Sequence, residues 1–443
     1  MINRDISLYF LCESGIMKAV VKSRNFIGFL YIFLGFSLTS AGYISWLYHL
    51  MEVETTWDVD VISTVVAYLF QAVGIGIYTL FVRLKPGFVQ RKIFVLPMYV
   101  LYVFFLAPAM FAESLTGTFL FGFIAQLICG MIAGGYLHSL AYLVDYGRRG
   151  IVFGAGYSVS SVAVWLISLI GNGYLLKSSF SLLIYAGLAT ALCAVAIYCA
   201  KQIYKDLPAE DGTSKSTVTE QDGIESSMPV AGGKLSKTAQ SKRISIEILF
   251  VSAAAIFLVS LIKEMAFYFP AADIADGISL ETSRLFYAAG LLLAGLIIDR
   301  NRKYGMISLL AATILPFVML VLAREEVSRT VLWALDYFFY GFFAVYRIVL
   351  FSDMCKLDKE ITGKIPYGAG ILFGFGLLFG RLGDAAGTQI GITLGGKSVV
   401  LILLAGIAFV CIVLLFFRLY RYFYATGSME VIAGTSGEEK ENA

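Results

Sequence analysis

Charge is scarce in this chain. Asp, Glu, Lys and Arg make up 15% of its 443 residues, where a soluble domain carries roughly 25%. Hydrophobic residues reach 59%, with 35 Phe and 26 Tyr, and the mean hydropathy is +0.80. A soluble globule of this length has nowhere to hide so much apolar surface. A soluble enzyme, a nucleic-acid-binding domain and a disordered chain are therefore excluded. The net charge of +3 is too small to point to a polyanionic partner. Lipid is the expected solvent for most of the molecule.

Histidine and patterned cysteine are lacking too. His49 and His138 are the two histidines of the sequence, too few for a histidine-based metal centre. The six cysteines, Cys12, Cys129, Cys193, Cys199, Cys355 and Cys411, show no C-x-x-C spacing, and most fall inside apolar runs. They read as small buried hydrophobes. No P-loop, H-E-x-x-H or G-x-S-x-G element is present, so neither nucleotide drive within this chain nor an integral-membrane enzyme is supported. No cofactor or metal is called for.

What the sequence does contain is apolar runs of spanning length, about 20 residues each. They lie near 25–48, 59–82, 93–111, 118–144, 151–175 and 181–201, then near 247–270, 282–298, 305–323, 330–354, 366–388 and 397–420. Their continuity excludes a β-barrel, whose strands alternate at period two. The first run has no small-residue cleavage site after it and reads as a retained span. The distribution of Lys and Arg orients the set. With the N-terminus inside, 26 lie on the cytoplasmic side, five on the opposite side and three within spans. The rule that basic loops stay inside then places both termini in the cytoplasm.

The expected organisation is a cytoplasmic segment 1–24, a six-helix bundle 25–201, a linker 202–246, a second six-helix bundle 247–420 and a cytoplasmic tail 421–443. The linker is rich in Ser, Thr, Gly and charge, with Tyr204 its single aromatic residue. Such a segment cannot bury enough apolar area to offset the entropy of ordering. The tail offers no helix-turn-helix. The fold class is thus an all-α integral membrane protein of twelve transmembrane helices in two pseudo-symmetric bundles. It is expected as a monomer in a plasma or inner membrane.

Weak echoes link the halves. Gly150-Ile-Val-Phe-Gly154-Ala155-Gly156 opens the fifth span, and Gly363-Lys-Ile-Pro-Tyr-Gly368-Ala369-Gly370 opens the eleventh. Between the eighth and ninth spans the chain reads Gly295-Leu-Ile-Ile-Asp299-Arg300-Asn301-Arg302-Lys303. This resembles the G-x-x-x-D-[RK]-x-G-[RK]-[RK] motif of the major facilitator superfamily, without its inner Gly and with the basic residues one position early. The first half keeps the basic charge at Arg83–Lys92 but has no Asp there. The resemblance implies 6+6 topology, cytoplasmic termini and a central cavity lined by the first and fourth spans of each half. It also implies a cytoplasmic gate at Gly295, Asp299, Arg300, Arg302 and Lys303. A glycine permits close helix approach, and an Asp at the membrane edge pairs with basic groups or caps a neighbouring helix. The alternative is a plain positive-inside turn.

Six charges fall inside spans of the second half: Lys263, Glu264, Asp336, Arg347, Arg381 and Asp384. Each costs roughly 2.5–3.5 kcal/mol on insertion scales, so each is expected to face a partner or a watery cavity. Asp336, Tyr340, Phe343 and Arg347 share one face of the tenth span, at i, i+4, i+7 and i+11. Arg381 and Asp384 are i, i+3 neighbours that pair with each other or serve the site. Lys263 and Glu264 lie about 100° apart around their helix and need not share a direction. These groups either knit the second half into a neutral network or bind solute, with Arg347 or Lys263 holding an anionic group and Glu264 or Asp336 exchanging a proton.

In the first half, His138, Tyr142 and Asp145 follow i, i+4, i+7, with His138 a candidate relay or a hydrogen-bonded core residue. Glycine concentrates between 368 and 396 in a small-x-x-x-small pattern, for close packing or bending. Three functions follow in order. The first is a secondary transporter of a small polar or charged solute, coupled to protons. The second is a transporter-like sensor or scaffold that binds a ligand without moving it. An enzyme comes last.

Overall fold

The computed structural model describes residues 24–53, 57–85, 88–89, 91–170, 179–205, 246–265, 280–322, 329–354, 369–394 and 398–421. Its regular structure among these residues is helical. The helices are α1 (Arg24–Val53), α2 (Trp57–Leu84), α3 (Lys92–Phe111), α4 (Leu115–Leu143), α5 (Arg149–Ile170) and α6 (Ser179–Lys205). They continue with α7 (Ile246–Met265), then α8 (Leu280–Arg300), α9 (Arg302–Leu322), α10 (Arg329–Asp353), α11 (Ala369–Leu394) and α12 (Val399–Tyr420). A 3-10 turn, Tyr146–Arg148, joins α4 to α5. Eight of these helices carry stretches long and apolar enough to cross a membrane. In hydrocarbon a helix is the one open-ended element that satisfies all its own backbone groups, which is why each apolar run folds this way. Most of the expected linker, 206–245, and nearly all of both terminal segments lie outside the described residues.

Several helices run past the apolar runs that announced them. α1 extends to Val53 where the run ended at 48, and α11 reaches Leu394 where the run ended at 388. The hydrophobic count marks the buried length alone, whereas backbone hydrogen bonding continues through a polar turn. α4, at 29 residues, is about 43 Å long.

The packing divides along the chain. α4 packs on α2, α3 and α1, and α6 packs on α1 and α3; α10 packs on α8, α9 and α11. Two broad contacts join early helices to late ones, α5 with α8 and α2 with α11. Close crossings recur in matching places. A Cβ on Gly74 of α2 would lie 1.9 Å from the carbonyl oxygen of Leu127, and one on Gly130 of α4 would lie 2.1 Å from that of Gln71. Likewise a Cβ on Gly290 of α8 would meet the Phe338 oxygen at 2.0 Å, and one on Gly341 of α10 would meet the Leu291 nitrogen at 2.6 Å. α2 and α4, and likewise α8 and α10, therefore touch backbone to backbone.

Candidate functional site

At one end of the bundle an ionic cluster spans α4, α5, α8, α9 and α10. Gly295 of α8 sits directly on α5: its Cβ would fall 2.6 Å from the Gly150 carbonyl oxygen, and one on Gly154 would fall 2.3 Å from that of Leu291. The glycines of the fifth span and the glycine of the G-x-x-x-D segment are thus two faces of one crossing. The crossing delivers Asp299 to the start of α5, where its carboxylate accepts from the N–H groups of Gly150 at 2.8 Å and Ile151 at 2.6 Å. Two unsatisfied amides and the positive helix end make this a strong anion seat.

Arg302 extends the cluster. It donates to Asp299 at 2.7 Å, to Asp353 at 2.8 Å, to the Ile298 carbonyl at 2.8 Å and to the Tyr146 carbonyl. Arg149 reaches the same Asp353 from α5 at 2.9 Å and bonds the carbonyls of Ser352 and Ala141. Tyr146 lies under both guanidiniums, 4.9 Å from Arg302 and 5.7 Å from Arg149. Of the five residues expected here, Gly295, Asp299 and Arg302 make contacts that join the two sets of helices. Arg300 and Lys303 are exposed. Arg300 lines an open groove of about 600 Å³ between α8, α9 and α10, with Tyr304, Ile307 and Phe342 among its walls.

Asp353 and Arg149 escaped the sequence reading because both sit where an interfacial charge is unremarkable. The available signal was the repeat of Asp145-x-x-Arg148 and Asp353-x-x-Lys356 at the ends of the fourth and tenth spans. Asp145 itself does not join His138 on a helical face. It falls beyond the end of α4 and exchanges hydrogen bonds with Asn25, at 2.7 Å and 3.0 Å.

The second cluster lies inside the bundle. The Lys263 and Glu264 side chains form an ion pair, and Lys263 Nζ stands 4.1 Å from the centroid of the Tyr340 ring. The long lysine stem folds back across the 100° between the two positions, so adjacent residues converge. Arg381 pairs with Asp384 at 3.2 Å and lies over Tyr68 of α2 at 5.0 Å. Arg347 leans toward the start of α10, over Phe343 at 5.4 Å, as side chains on a helix do. Asp336 is 3% exposed and within electrostatic reach of Lys263 and Glu264. Among the described residues, Arg347 and Asp336 are the two of the six that form no ion pair. The six formal charges sum to zero, with two ion pairs made and two members outside any pair.

An aromatic row runs beside it. Phe36 stacks on Tyr157 at 3.7 Å, Tyr157 meets Tyr287 edge-on at 5.3 Å, and Tyr287 stacks on Tyr340 at 5.5 Å. This passes from α1 through α5 and α8 to α10 and ends under Lys263. Tyr287 and Tyr157 had no distinguishing mark in a chain with 26 tyrosines. His138 lies apart from these charges in its bonding. Its Nδ1 is 3.1 Å from the Tyr78 hydroxyl, and Tyr142 packs edge-on against the ring at 5.0 Å.

The expected glycine packing on α11 has a partner. Cβ atoms on Gly383 and Gly387 would lie 2.4 Å and 2.3 Å from the carbonyl oxygens of Phe257 and Leu261 on α7. That contact sets Arg381 and Asp384 beside Ser260 and Glu264. Among the described residues no cluster of His, Cys, Asp and Glu is arranged to hold a metal ion.

No family profile matches this sequence, and no curated protein matches it in sequence. Solved structures do share its fold. A variant of the Escherichia coli fucose:proton symporter FucP superposes with a TM-score of 0.52 at 13% identity, over 88% of this chain and 97% of that one. FucP in an outward conformation, described as a major facilitator superfamily transporter, superposes with a TM-score of 0.52 at 12% identity and the same coverage. The likeness is one of fold. This chain is a multi-pass membrane protein with the architecture of major facilitator superfamily transporters.

Proposed function

We propose that the protein is a secondary active transporter that moves a small polar or charged organic solute across a plasma or inner membrane, coupled to protons. The observation that carries this reading is the ionisable cluster Lys263, Glu264, Asp336, Arg347, Arg381 and Asp384, set between helices in a fold shared with a proton symporter. Groups this costly in a bilayer persist where they serve a solute or proton path. Twelve spans in two six-helix halves, both termini cytoplasmic, would place Asp299, Arg302, Arg149 and Asp353 at the inner face as a latch. With that latch made, the inner side is shut and the solute site faces outward. Alternating access then consists of breaking the latch and rocking the halves about the central charges.

The test is uptake by purified protein in proteoliposomes, screened across a metabolite panel under imposed pH and sodium gradients. Solute-dependent flux that responds to the pH gradient supports the proposal. Saturable binding with no flux under any gradient would instead establish a sensor.

A further inference from the structure

The charge pairing inside the bundle singles out one cation. Lys263 is held by Glu264 and Arg381 by Asp384, which leaves Arg347. Among the described residues its guanidinium takes part in no hydrogen bond, and its Nε is buried without a partner. A second orphan lies beside it. Ser260 is fully buried, and its Oγ has no partner either. Gly380 on α11 faces both, since a Cβ there would lie 3.2 Å from Arg347 Nη1, 3.5 Å from Ile256 and 3.8 Å from Ser260 Oγ.

From this geometry we infer that the transported solute carries a single negative charge, a carboxylate seated on Arg347 with Ser260 as a second donor in the cradle at Gly380. This rests on the transporter reading and names the substrate class of that site. The planar fork of a guanidinium matches the two oxygens of a carboxylate. Monovalency follows from the neighbours. Around Arg347 the charged groups are Arg381 and Asp384, and the three sum to one positive charge; Asp336 stands eleven residues, about 16 Å, away along α10. One anionic charge balances that set, and the buried Asp384, with an unpartnered Oδ1, repels any excess. A dianion would leave a net negative charge in low dielectric.

The experiment uses the full chain in lipid nanodiscs and follows its thermal shift at constant ionic strength. The probes are sodium acetate and sodium lactate, against sodium sulfate and malonate as dianions and methyl glucoside as a neutral control. The monocarboxylates should stabilise the wild type, with weaker or no effect from the others. Arg347→Gln should abolish the response, and Arg347→Lys should weaken it at least tenfold through loss of the fork. Ser260→Ala should weaken it about tenfold, the value of one hydrogen bond to a charged group. Gly380→Ala leaves every charge in place and should weaken binding by filling the cradle, which keeps the test open should Arg347→Gln fail to fold. A wild type indifferent to monocarboxylates, a preference for dianions, or an Arg347→Gln variant that responds like wild type would overturn the inference. If flux of some other solute occurs while carboxylates have no effect, the transporter reading survives and the anion assignment falls. Arg347-dependent binding without flux has the opposite meaning.

Discussion

Asp353 holds two arginines at once, one from α5 and one at the start of α9, and it is 4% exposed. Neutralising it leaves Arg149 with carbonyl partners alone and Arg302 with Asp299 as its one carboxylate, in a poorly hydrated place. Removing one partner of a buried pair costs about 3–5 kcal/mol, so Asp353→Asn should lower the yield and melting temperature of the purified protein sharply. Asp299 stands differently, because two backbone amides and Arg302 share its carboxylate. An amide oxygen in Asp299→Asn still accepts from one N–H, and the loss is the charge-dependent part, about 1–2 kcal/mol. That variant should fold, open more readily at the Arg302 end and change the transport rate; unchanged transport and protein level would refute the latch. The charges of the central site were legible in the sequence because ionisable residues stand out in apolar runs. Their pairing was not. Lys263 has a stem long enough to bond a residue 100° around the helix, and neither periodicity nor spacing reveals whether it does.

Helix positions were legible for a physical reason, the demand of hydrocarbon for about 20 apolar residues per crossing. Which helices touch was legible only where glycine recurs, and even there the partner was hidden. The Gly380–Gly383–Gly387 face announces a close neighbour without naming α7. Where backbone meets backbone, a methyl group has no room. Gly290→Ala would place a Cβ 2.0 Å from the Phe338 oxygen, forcing α8 and α10 apart and losing contacts along the whole crossing. Overpacking of this kind typically costs 1–3 kcal/mol. Gly187→Ala on α6 faces open space and should leave the melting temperature unchanged or slightly raised, since Ala is the better helix former. Equal melting temperatures for the two variants in a side-by-side comparison would contradict the crossing.

For the molecule as a whole, the unequal distribution of charge is the governing feature. All six intramembrane charges lie on α7, α10 and α11, while the first half offers the Gln71–Gln126 pair at 2.6 Å and the His138–Tyr78 contact. Under the proposed function, proton coupling should therefore be a property of α7, α10 and α11. Glu264→Gln combined with Asp336→Asn should leave a transporter that still exchanges solute but no longer accumulates it against a pH gradient. A double variant that keeps gradient-driven accumulation would place the coupling elsewhere. Arg381 gives the arrangement a further turn, because its ring partner Tyr68 belongs to α2 and its ion partner Asp384 to α11. The relative rotation of two halves that the proposed transport cycle requires would pull that guanidinium from the ring or drag Asp384 along. The electrostatic field at the proposed solute site would thus differ before and after that rotation. By thermodynamic reciprocity, whatever binds in that field biases the rotation to the same degree, so under the proposed function the protein would read its cargo as a change in its own shape.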